Sequence, residues 1–278
     1  MTILVTGATG NVGRLVVDEL VRAGAPAVRA LTVDPEQAAL PPQVEVVTGY
    51  LGRPSTLPAA LAGIDTVYLA PLPRTVRAFT ALARRAGVRR VVTLSSSSVD
   101  EEAAGDPAQW HYYAVEQAVE QAGFAWTHLR PGSFMTNTLG WADSIRREGV
   151  VRWPYPGASE TPIDLRDIAA VAAVVLLDER HTGQSYTLTG PQSIRQIDQV
   201  RAIGAAIGKE IRFEELTPEQ ARQAWRGTVP EAAIAWLLDG YALSTAQPQV
   251  PLPTVQELTG RPARTFAQWA IDHAHLFL

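Results

Sequence analysis

The stretch that most constrains the fold is residues 2–22, which read TILVTGATGNVGRLVVDELVR. Its apolar start has the composition of a short buried strand, and its second half repeats apolar residues at helical spacing. Three glycines, Gly7, Gly10 and Gly13, separate the two halves. We therefore predict a strand, a tight glycine turn and a helix, in that order.

Glycines in such a turn permit the bend, let the backbone approach a phosphate, and let the helix pack closely on the strand. The N–H groups of the first helical turn then face the phosphates. The spacing is GxxGxxG rather than GxGxxG, so an ordinary strand-to-helix turn is the alternative interpretation. The stretch favours a dinucleotide site.

Further short runs rich in β-forming residues follow this segment. They lie at 27–32, 44–48, 66–69, 91–94 and 125–129. Helical patterns separate most of them, including one at 75–86. Alternating strands and helices predict an α/β fold with a Rossmann-type doubly wound parallel sheet, whose ligands bind at the carboxyl ends of the strands.

Composition excludes several classes of site. The 278 residues are 46% hydrophobic, which suffices for one large domain or a core with a smaller lobe. Cysteine is absent and the five histidines show no metal-binding spacing, so we predict no metal, no disulfide and no thiolate nucleophile. A net charge of −4 argues against nucleic-acid binding. No signal run or long apolar stretch indicates export or membrane spanning, and we expect a cytoplasmic protein.

The lysine count bears on mechanism. Of the 24 basic residues only Lys209 is a lysine, far downstream of the glycine loop. A mechanism that needs a lysine beside a tyrosine is therefore excluded unless Lys209 folds back.

The end of the second strand, at Val33 and Asp34, is where the adenosine ribose of a dinucleotide lies. An acid there favours the free 2′-hydroxyl of NAD, whereas an arginine favours the 2′-phosphate of NADP. Asp34 followed by Pro35 is also a common turn. The arginines that compete with Asp34 for this role are Arg14, Arg29 and Arg53.

The ends of the fourth and fifth strands are the predicted nicotinamide side. Small and proline-rich residues from Ala70 to Leu72 follow the fourth strand, and a run of four serines that includes Ser95 and Ser96 follows the fifth. Serines after a strand are often only turn formers, which is the alternative.

Three further candidates begin the next helix. These are His111, Tyr112 and Tyr113, which we expect near the active edge of the sheet. Packing or capping of the helix start is the alternative for each of them.

Five motifs together resemble one family. They are GATGNVG at the start, LSSSS after the fifth strand, LRPGSFMTN at 129–137, PIDLRDIAAVAAVVL at 162–176 and YTLTGP at 186–191. Over nearly the whole chain the sequence resembles the NmrA-like branch of the atypical short-chain dehydrogenase/reductases.

The resemblance implies a Rossmann core at 1–135, to which 160–190 return, and a substrate-covering lobe at 136–159 and 191–278. It implies NAD(P) as cofactor, and a family that contains quinone, imine and ketone reductases as well as regulators that bind the dinucleotide without turning it over. The positions that match the family's diphosphate loop are Gly7, Thr9, Asn11 and Val12. Those that match its nicotinamide and substrate segments are Ala70, Pro71, Leu72, Pro131, Gly132, Ser133 and Phe134.

Two departures from the family pattern matter. Related chains often have Arg-Asp-Pro where this one has Val33 before Asp34, and the loss of that arginine weakens the case for NADP. We favour NADPH because family members commonly use it, and we keep NADH as the alternative. Where many short-chain dehydrogenases have Tyr-x-x-x-Lys, this chain pairs Tyr112 with Glu116 and Tyr113 with Gln117. A tyrosine with no adjacent cation keeps a pKa of about 10 and relays protons slowly.

We accordingly predict hydride transfer to a carbonyl of a bulky aromatic ketone or quinone, with secondary metabolism as one setting. Ser95 or Ser96 would hydrogen-bond the developing oxyanion, and no single general acid would be indispensable. The alternative is a non-catalytic NAD(P)-sensing regulator. We expect no nucleic-acid or membrane partner, and a monomer or homodimer.

The aromatic residues of the second half fit a flat ligand. Phe134, Trp141, Trp153 and Tyr155 are expected near it, whereas Trp236 and Trp269 are expected in the core, as is Trp126.

Overall fold

A computed structural model of the chain describes residues 1–105 and 112–278. Its strands, in chain order, are β1 (Thr2–Val5), β2 (Ala27–Thr32), β3 (Glu45–Thr48), β4 (Thr66–Leu69), β5 (Arg90–Leu94), β6 (Ala125–Pro131), β7 (Val150–Trp153), β8 (Ser159–Glu160), β9 (Gln184–Leu188), β10 (Ile194–Arg195) and β11 (Arg212–Glu215). Its α-helices are α1 (Asn11–Arg22), α2 (Pro58–Leu61), α3 (Pro73–Arg85), α4 (Val99–Ala104), α5 (Tyr112–Gln121), α6 (Ala142–Glu148), α7 (Leu165–Leu177), α8 (Gln196–Ile207), α9 (Pro218–Trp225), α10 (Glu231–Ala246), α11 (Thr254–Thr259) and α12 (Phe266–Asp272).

The central sheet of the described chain has seven parallel strands in the order β3-β2-β1-β4-β5-β6-β9. The order reverses between β1 and β4, because the chain first builds outward through β2 and β3 and then returns to the other side of β1. In a doubly wound sheet such a reversal opens a crevice at the carboxyl ends of the strands. The predicted fold class is confirmed.

Helices cover both faces of this sheet. Helices α2, α3 and α5 share one apolar core with the sheet residues Leu4, Val67 and Val91. Helix α7 packs against α1 and also contacts β4, β5 and β6. Almost every residue of α7 is buried, as its apolar sequence requires. A strand buried on both faces needs a continuous apolar run, and Ile3, Leu4 and Val5 of β1 provide one.

The sequence-based boundaries agree closely with these strands. The runs at 27–32 and 66–69 are the observed β2 and β4, whereas β6 extends two residues beyond the predicted run to Pro131. The helix expected at 75–86 begins earlier, at Pro73, because proline is well suited to a first helical turn where no N–H donor is needed.

The chain divides into two compact units. The first comprises Met1–Gly132, Leu165–Leu188 and Thr254–Arg261, and the second comprises Ser133–Asp164, Thr189–Pro253 and Pro262–Leu278. The first unit contains the seven-stranded sheet. Helix α11, which we grouped with the lobe, belongs to the first unit.

The second unit is mainly helical, with two small strand pairs. Strands β7 and β11 pair in parallel, and β8 pairs antiparallel with β10. One apolar core forms around Trp269, which is fully buried as expected. A second, smaller core forms around Trp225 and Leu238. Trp236 is 40% exposed, so the expectation that it lies in the core is wrong.

No helix in the described ranges 1–105 and 112–278 is long and apolar enough to cross a membrane.

Candidate functional site

The glycine loop has the geometry of a phosphate cradle. Gly7 has a φ of +61°, which a side chain disfavours, and the Gly10 N–H donates to the Gly7 carbonyl at 2.9 Å. A Cβ atom on Gly13 would lie 2.1 Å from the Gly7 oxygen. The first turn of α1 contains no acidic residue, and its N-cap position, Gly10, supplies no side-chain hydrogen bond. The N–H groups at the start of α1 are therefore open to an anion, and the residues present fit a dinucleotide diphosphate.

A hydroxyl ties this loop to the loop after β4. Thr6 Oγ1 donates to the Tyr68 carbonyl at 3.0 Å and accepts from the Ala70 N–H at 2.8 Å. A Cβ on Gly7 would lie 3.0 Å from Ala70 Cβ. Two of the predicted cofactor segments, the glycine loop and the segment from Ala70 through Pro71 to Leu72, thus meet where the strand order reverses.

The loop after β2 carries both candidates for ribose recognition. Val33 is 65% exposed, and the Asp34 carboxylate accepts from the Gln37 N–H at 3.2 Å. Arg14 reaches the same loop and donates from Nη1 to the Ala38 carbonyl at 3.1 Å. Thr9 Oγ1 lies 3.4 Å from Thr32 Oγ1 at the end of β2.

The other two arginines considered for this role are placed differently. Arg29 donates to Glu45 at 2.8 Å and to the carbonyls of Ala60 and Ala62, so its guanidinium is engaged away from the loop. Arg53 is exposed. Of the three arginines, Arg14 is the one with a contact to the Asp34 loop.

Ser95 lies at the end of β5, where it was predicted, but its hydroxyl is committed to another side chain. Ser95 Oγ donates to Glu116 Oε1 at 2.5 Å, and both residues are buried. Arg130 donates to the same carboxylate from Nε at 3.0 Å and from Nη2 at 2.7 Å. These hydrogen bonds raise the pKa of Arg130, so its guanidinium stays charged. The Ser95 hydrogen therefore points to a carboxylate in this structure rather than to the expected oxyanion.

Ser96 is more accessible than Ser95. Its hydroxyl lies 2.8 Å from that of Ser98, and its side chain is only partly buried. Ser96, like Ser98, thus keeps contact with both solvent and a hydroxyl neighbour.

Tyr112 and Tyr113 begin α5 as predicted, and Glu102 caps the helix from α4. Glu102 Oε2 accepts from the two tyrosine N–H groups at 3.1 and 2.9 Å. Burial raises the pKa of the Tyr112 phenol, and the negative charge of Glu102 adds to the effect. Tyr112 is therefore a weaker acid than a free tyrosine. His111 lies outside the described residues.

A trio of potential metal ligands sits beside the Arg130 pair. Ligand atoms of Glu116, Glu120 and His128 lie within 4.8 Å of one another. Arg130 already bonds both oxygens of Glu116, and His128 Nε2 lies 3.2 Å from Glu120. Burial lowers the pKa of His128 and favours its neutral form. The arrangement is that of a hydrogen-bonded ion-pair network, and the prediction of no metal stays a prediction.

The segment after β6 crosses from one unit to the other. Pro131 is buried in the first unit and accepts from the Ser97 N–H at 2.9 Å. Ser133 and Phe134 belong to the second unit, where Phe134 bridges to Ile163. The Ser133 carbonyl accepts from the Ile163 N–H at 2.9 Å.

The second unit contains an aromatic cluster centred on Trp153. Its ring centroid lies 4.7 Å from that of Trp225, 5.8 Å from that of Trp141 and 6.4 Å from that of Tyr241. Tyr155 packs against the same small core, with a φ of +54° that a tyrosine rarely adopts. Sequence reasoning counted Trp225 among the aromatic residues of the second half that fit a flat ligand, and expected Trp141, Trp153 and Tyr155 near that ligand. It missed Tyr241, because this residue lies on a helix far downstream of the others.

Comparison with known proteins agrees with this picture. Residues 7–179 match the family described as NAD(P)H-binding. The chain is 42% identical to a (4-alkanoyl-5-oxo-2,5-dihydrofuran-3-yl)methyl phosphate reductase of Streptomyces griseus subsp. griseus, and 38% identical to an NAD(P)H azoreductase of Xenophilus azovorans. Each alignment covers 99% of both chains.

The crystal structure of an NADPH-dependent quinone oxidoreductase of Escherichia coli, complexed with NADPH, superposes with a TM-score of 0.83. The match covers 99% of this chain and 100% of that one at 24% identity. The family match spans more than half of the sequence, and the two relatives align with nearly all of it. The chain therefore belongs to the NAD(P)H-binding family.

Proposed function

We propose that the chain is an NAD(P)H-dependent oxidoreductase that reduces a carbonyl of a bulky aromatic ketone or quinone. The observation that carries the proposal is a phosphate cradle at the strand-order reversal, in a chain whose relatives at 42% and 38% identity are both named reductases. A fold alone does not specify chemistry, so the relatives supply the reaction class and the cradle supplies the cofactor site.

The cofactor, when bound, supplies a hydride to the substrate. Gly7, Gly10 and Gly13 would hold its diphosphate through backbone N–H groups, and the Ala70 to Leu72 loop would border the nicotinamide. We favour NADPH, because Arg14 contacts the loop that would surround the ribose and carries the charge that a 2′-phosphate attracts. Asp34 on the same loop is the reason for keeping NADH as a second cofactor.

The substrate class rests on the second unit. Trp141, Trp153, Trp225 and Tyr241 offer ring edges and faces that suit a flat, apolar molecule. Assignment of this unit to substrate binding is part of the proposal. The relative from Streptomyces acts on a furanone phosphate by its name and the relative from Xenophilus is an azoreductase, so the family tolerates different acceptors.

The proton that completes the reduction would not depend on a tyrosine–lysine relay. Glu116 stands four residues after Tyr112, where a lysine would be needed, and Arg130 neutralises it. Lowering the pKa of the phenol requires a nearby cation, whereas burial and Glu102 raise it. The rate would come mainly from holding hydride donor and acceptor together.

The tyrosines give the first prediction. Tyr112→Phe and Tyr113→Phe keep the ring and the N–H groups that bond Glu102, so each variant should keep kcat/KM within about threefold of the wild type, well under the 10²-fold or more of a general acid. Steady-state kinetics with saturating NADPH measures this. A loss of about 10³-fold in either variant, with cofactor affinity intact, would establish a tyrosine acid and refute this view of the proton.

The second prediction tests the function itself. Purified protein should bind NADPH by fluorescence titration and should oxidise it in the presence of some members of a panel of polycyclic quinones and aromatic ketones. Absence of binding by NADPH and NADH at millimolar concentration would end the proposal. Tight cofactor binding with no turnover across the panel would favour the other class, a dinucleotide-binding regulator of the NmrA type.

A further inference from the structure

Four polar side chains of the second unit lie side by side at the aromatic cluster. Ser133 lies beside Glu160, and the negative charge of Glu160 raises the pKa of Tyr241. Tyr241 in turn lies beside the indole N–H of Trp153. We call Ser133, Trp153, Glu160 and Tyr241 the donor row. Glu160 is on β8, which packs against α10, the helix that carries Tyr241. The row therefore joins elements that are distant in sequence.

Two members of the donor row have buried polar atoms whose contacts within the row, Ser133 to Glu160 and Trp153 to Tyr241, fall short of full hydrogen-bond geometry. Ser133 Oγ and Trp153 Nε1 form no hydrogen bond of normal geometry with any residue that the structure describes. Buried polar atoms are nearly always hydrogen-bonded, because leaving one unpaired costs about 1–3 kcal/mol. Two such atoms in one small cluster indicate a place where another molecule supplies acceptors.

The surroundings of Glu160 determine which molecule fits. Burial raises the pKa of Glu160 to about 7, and the nearby Ser133 hydroxyl offsets part of that effect. On β10 its direct partner is the apolar Ile194, while Arg195 is opposite Ser159 and is bound to Asp198 at 2.6 Å. On α10 the facing titratable group is Tyr241, whose pKa is raised by burial and by Glu160. Near neutral pH a large fraction of Glu160 therefore carries its proton.

All four members can then donate hydrogen bonds. Serine and tyrosine hydroxyls, an indole N–H and a protonated carboxyl are donors, and the indole is a donor only. A set of donors beside aromatic rings matches a flat ligand that carries carbonyl oxygens. It does not match a phosphate or carboxylate, because no cation of the described residues contributes to the pKa of Glu160, and a second negative charge beside it would be unbalanced.

We propose that the donor row binds the carbonyl oxygen of a flat, uncharged aromatic ligand, with Glu160 as the residue that selects against anionic ligands. The inference rests on the proposed function for its substrate class, and it names a site and a charge selectivity that the reductase assignment leaves open. A groove of about 550 Å³ lined by α8 and β11 contains no member of the row, so the two features are separate.

The test is calorimetric binding of 1,4-naphthoquinone in the absence of cofactor, from pH 6 to pH 8. The chain has no cysteine, so thiol addition to the quinone does not interfere. Wild-type affinity should fall about tenfold over this range, because Glu160 loses its proton and becomes an acceptor facing another acceptor. Glu160→Gln keeps an N–H donor and does not titrate, so its affinity should vary little with pH.

Two controls separate this effect from a general disturbance. Glu160→Leu should bind the quinone about tenfold more weakly than Glu160→Gln at every pH, whereas Glu215→Gln, at an exposed glutamate of β11, should behave as wild type. The anionic probe 1,4-naphthoquinone-2-sulfonate should bind wild type at least about tenfold more weakly than the neutral quinone. Glu160→Gln conserves size, so the comparison does not depend on the leucine variant folding.

The outcomes distinguish this inference from the proposed function. Equal, pH-independent binding of naphthoquinone to wild type, Glu160→Gln and Glu160→Leu would overturn the donor row and leave the reductase proposal intact. No binding of naphthoquinone to wild type, or equal binding of the sulfonate, would overturn it as well. If naphthoquinone binding shows the expected dependence on pH and on Glu160 but the protein turns over no substrate, the donor row is supported and the reductase proposal fails.

Discussion

Gly13 lies where α1 meets the start of the glycine loop, and the space there is too small for a side chain. A Cβ atom would come within 2.1 Å of the Gly7 oxygen and 2.7 Å of its carbonyl carbon, both of them backbone atoms that cannot move aside cheaply. The glycine is thus required by close approach rather than by its backbone angles.

We therefore expect Gly13→Ala to lower the free energy of unfolding by about 1–3 kcal/mol and to weaken NADPH binding at least about tenfold. Urea unfolding and fluorescence titration measure the two effects. Gly140→Ala is the matched control, because a Cβ there meets nothing within 4 Å. Wild-type NADPH affinity in Gly13→Ala would show that the loop does not hold the diphosphate.

The elements β5, α5 and β6 are joined by one ion-pair network. Glu116 on α5 is almost fully buried, and it accepts from Ser95 at the end of β5 and from Arg130 on β6. Arg130 Nη1 also lies 3.3 Å from Asp100 Oδ1, and the Arg130 side chain is 20% exposed. Removal of the arginine would leave a buried carboxylate with one hydroxyl donor.

Arg130→Met should accordingly cost about 3 kcal/mol of stability, at the lower end of the range for a broken buried pair because the arginine is partly exposed. Glu116→Gln should cost less stability, since Arg130 keeps its ion pair with Asp100. The double variant should be more stable than the sum of the two single changes predicts, by about 1 kcal/mol or more, in a urea-unfolding cycle. Strict additivity would mean that the pair contributes no coupling.

For the whole molecule, Glu160 links stability to pH. Its pKa is raised from 4.5 to about 7 in the folded chain, so between these values the folded state binds more protons than the unfolded state. Stability from this group is therefore present at low pH and falls as the pH rises toward 7. Replacing a titrating carboxyl by an amide of the same shape removes this dependence.

We expect the melting temperature of Glu160→Gln, relative to wild type, to increase from pH 5 to pH 8. Differential scanning calorimetry measures the difference, and Glu215→Gln serves as the exposed control that should show no such trend. A constant difference between Glu160→Gln and wild type across this range would contradict a raised folded-state pKa.

Local pattern alone determined much of this protein. The apolar run before Gly7 specified a fully buried strand, and alternating strands and helices specified the parallel sheet, because periodicity and buried-strand composition are properties of short segments. The segments after β1, β2 and β4 were therefore predictable as one site, since the carboxyl ends of parallel strands share one edge. The cofactor preference of the loop after β2 remained ambiguous, because Asp34 belongs to the loop and Arg14 contacts it.

Tertiary structure alone decided what the polar side chains do. Ser95 appeared as a hydroxyl at the active edge, but its partner Glu116 comes from a helix 21 residues later and turns the hydrogen away. Glu160 reads as an ordinary loop glutamate, and its raised pKa arises from burial among residues as distant as Tyr241. Hydrogen-bond partners and burial depend on contacts between segments far apart in the chain, and no local pattern records them.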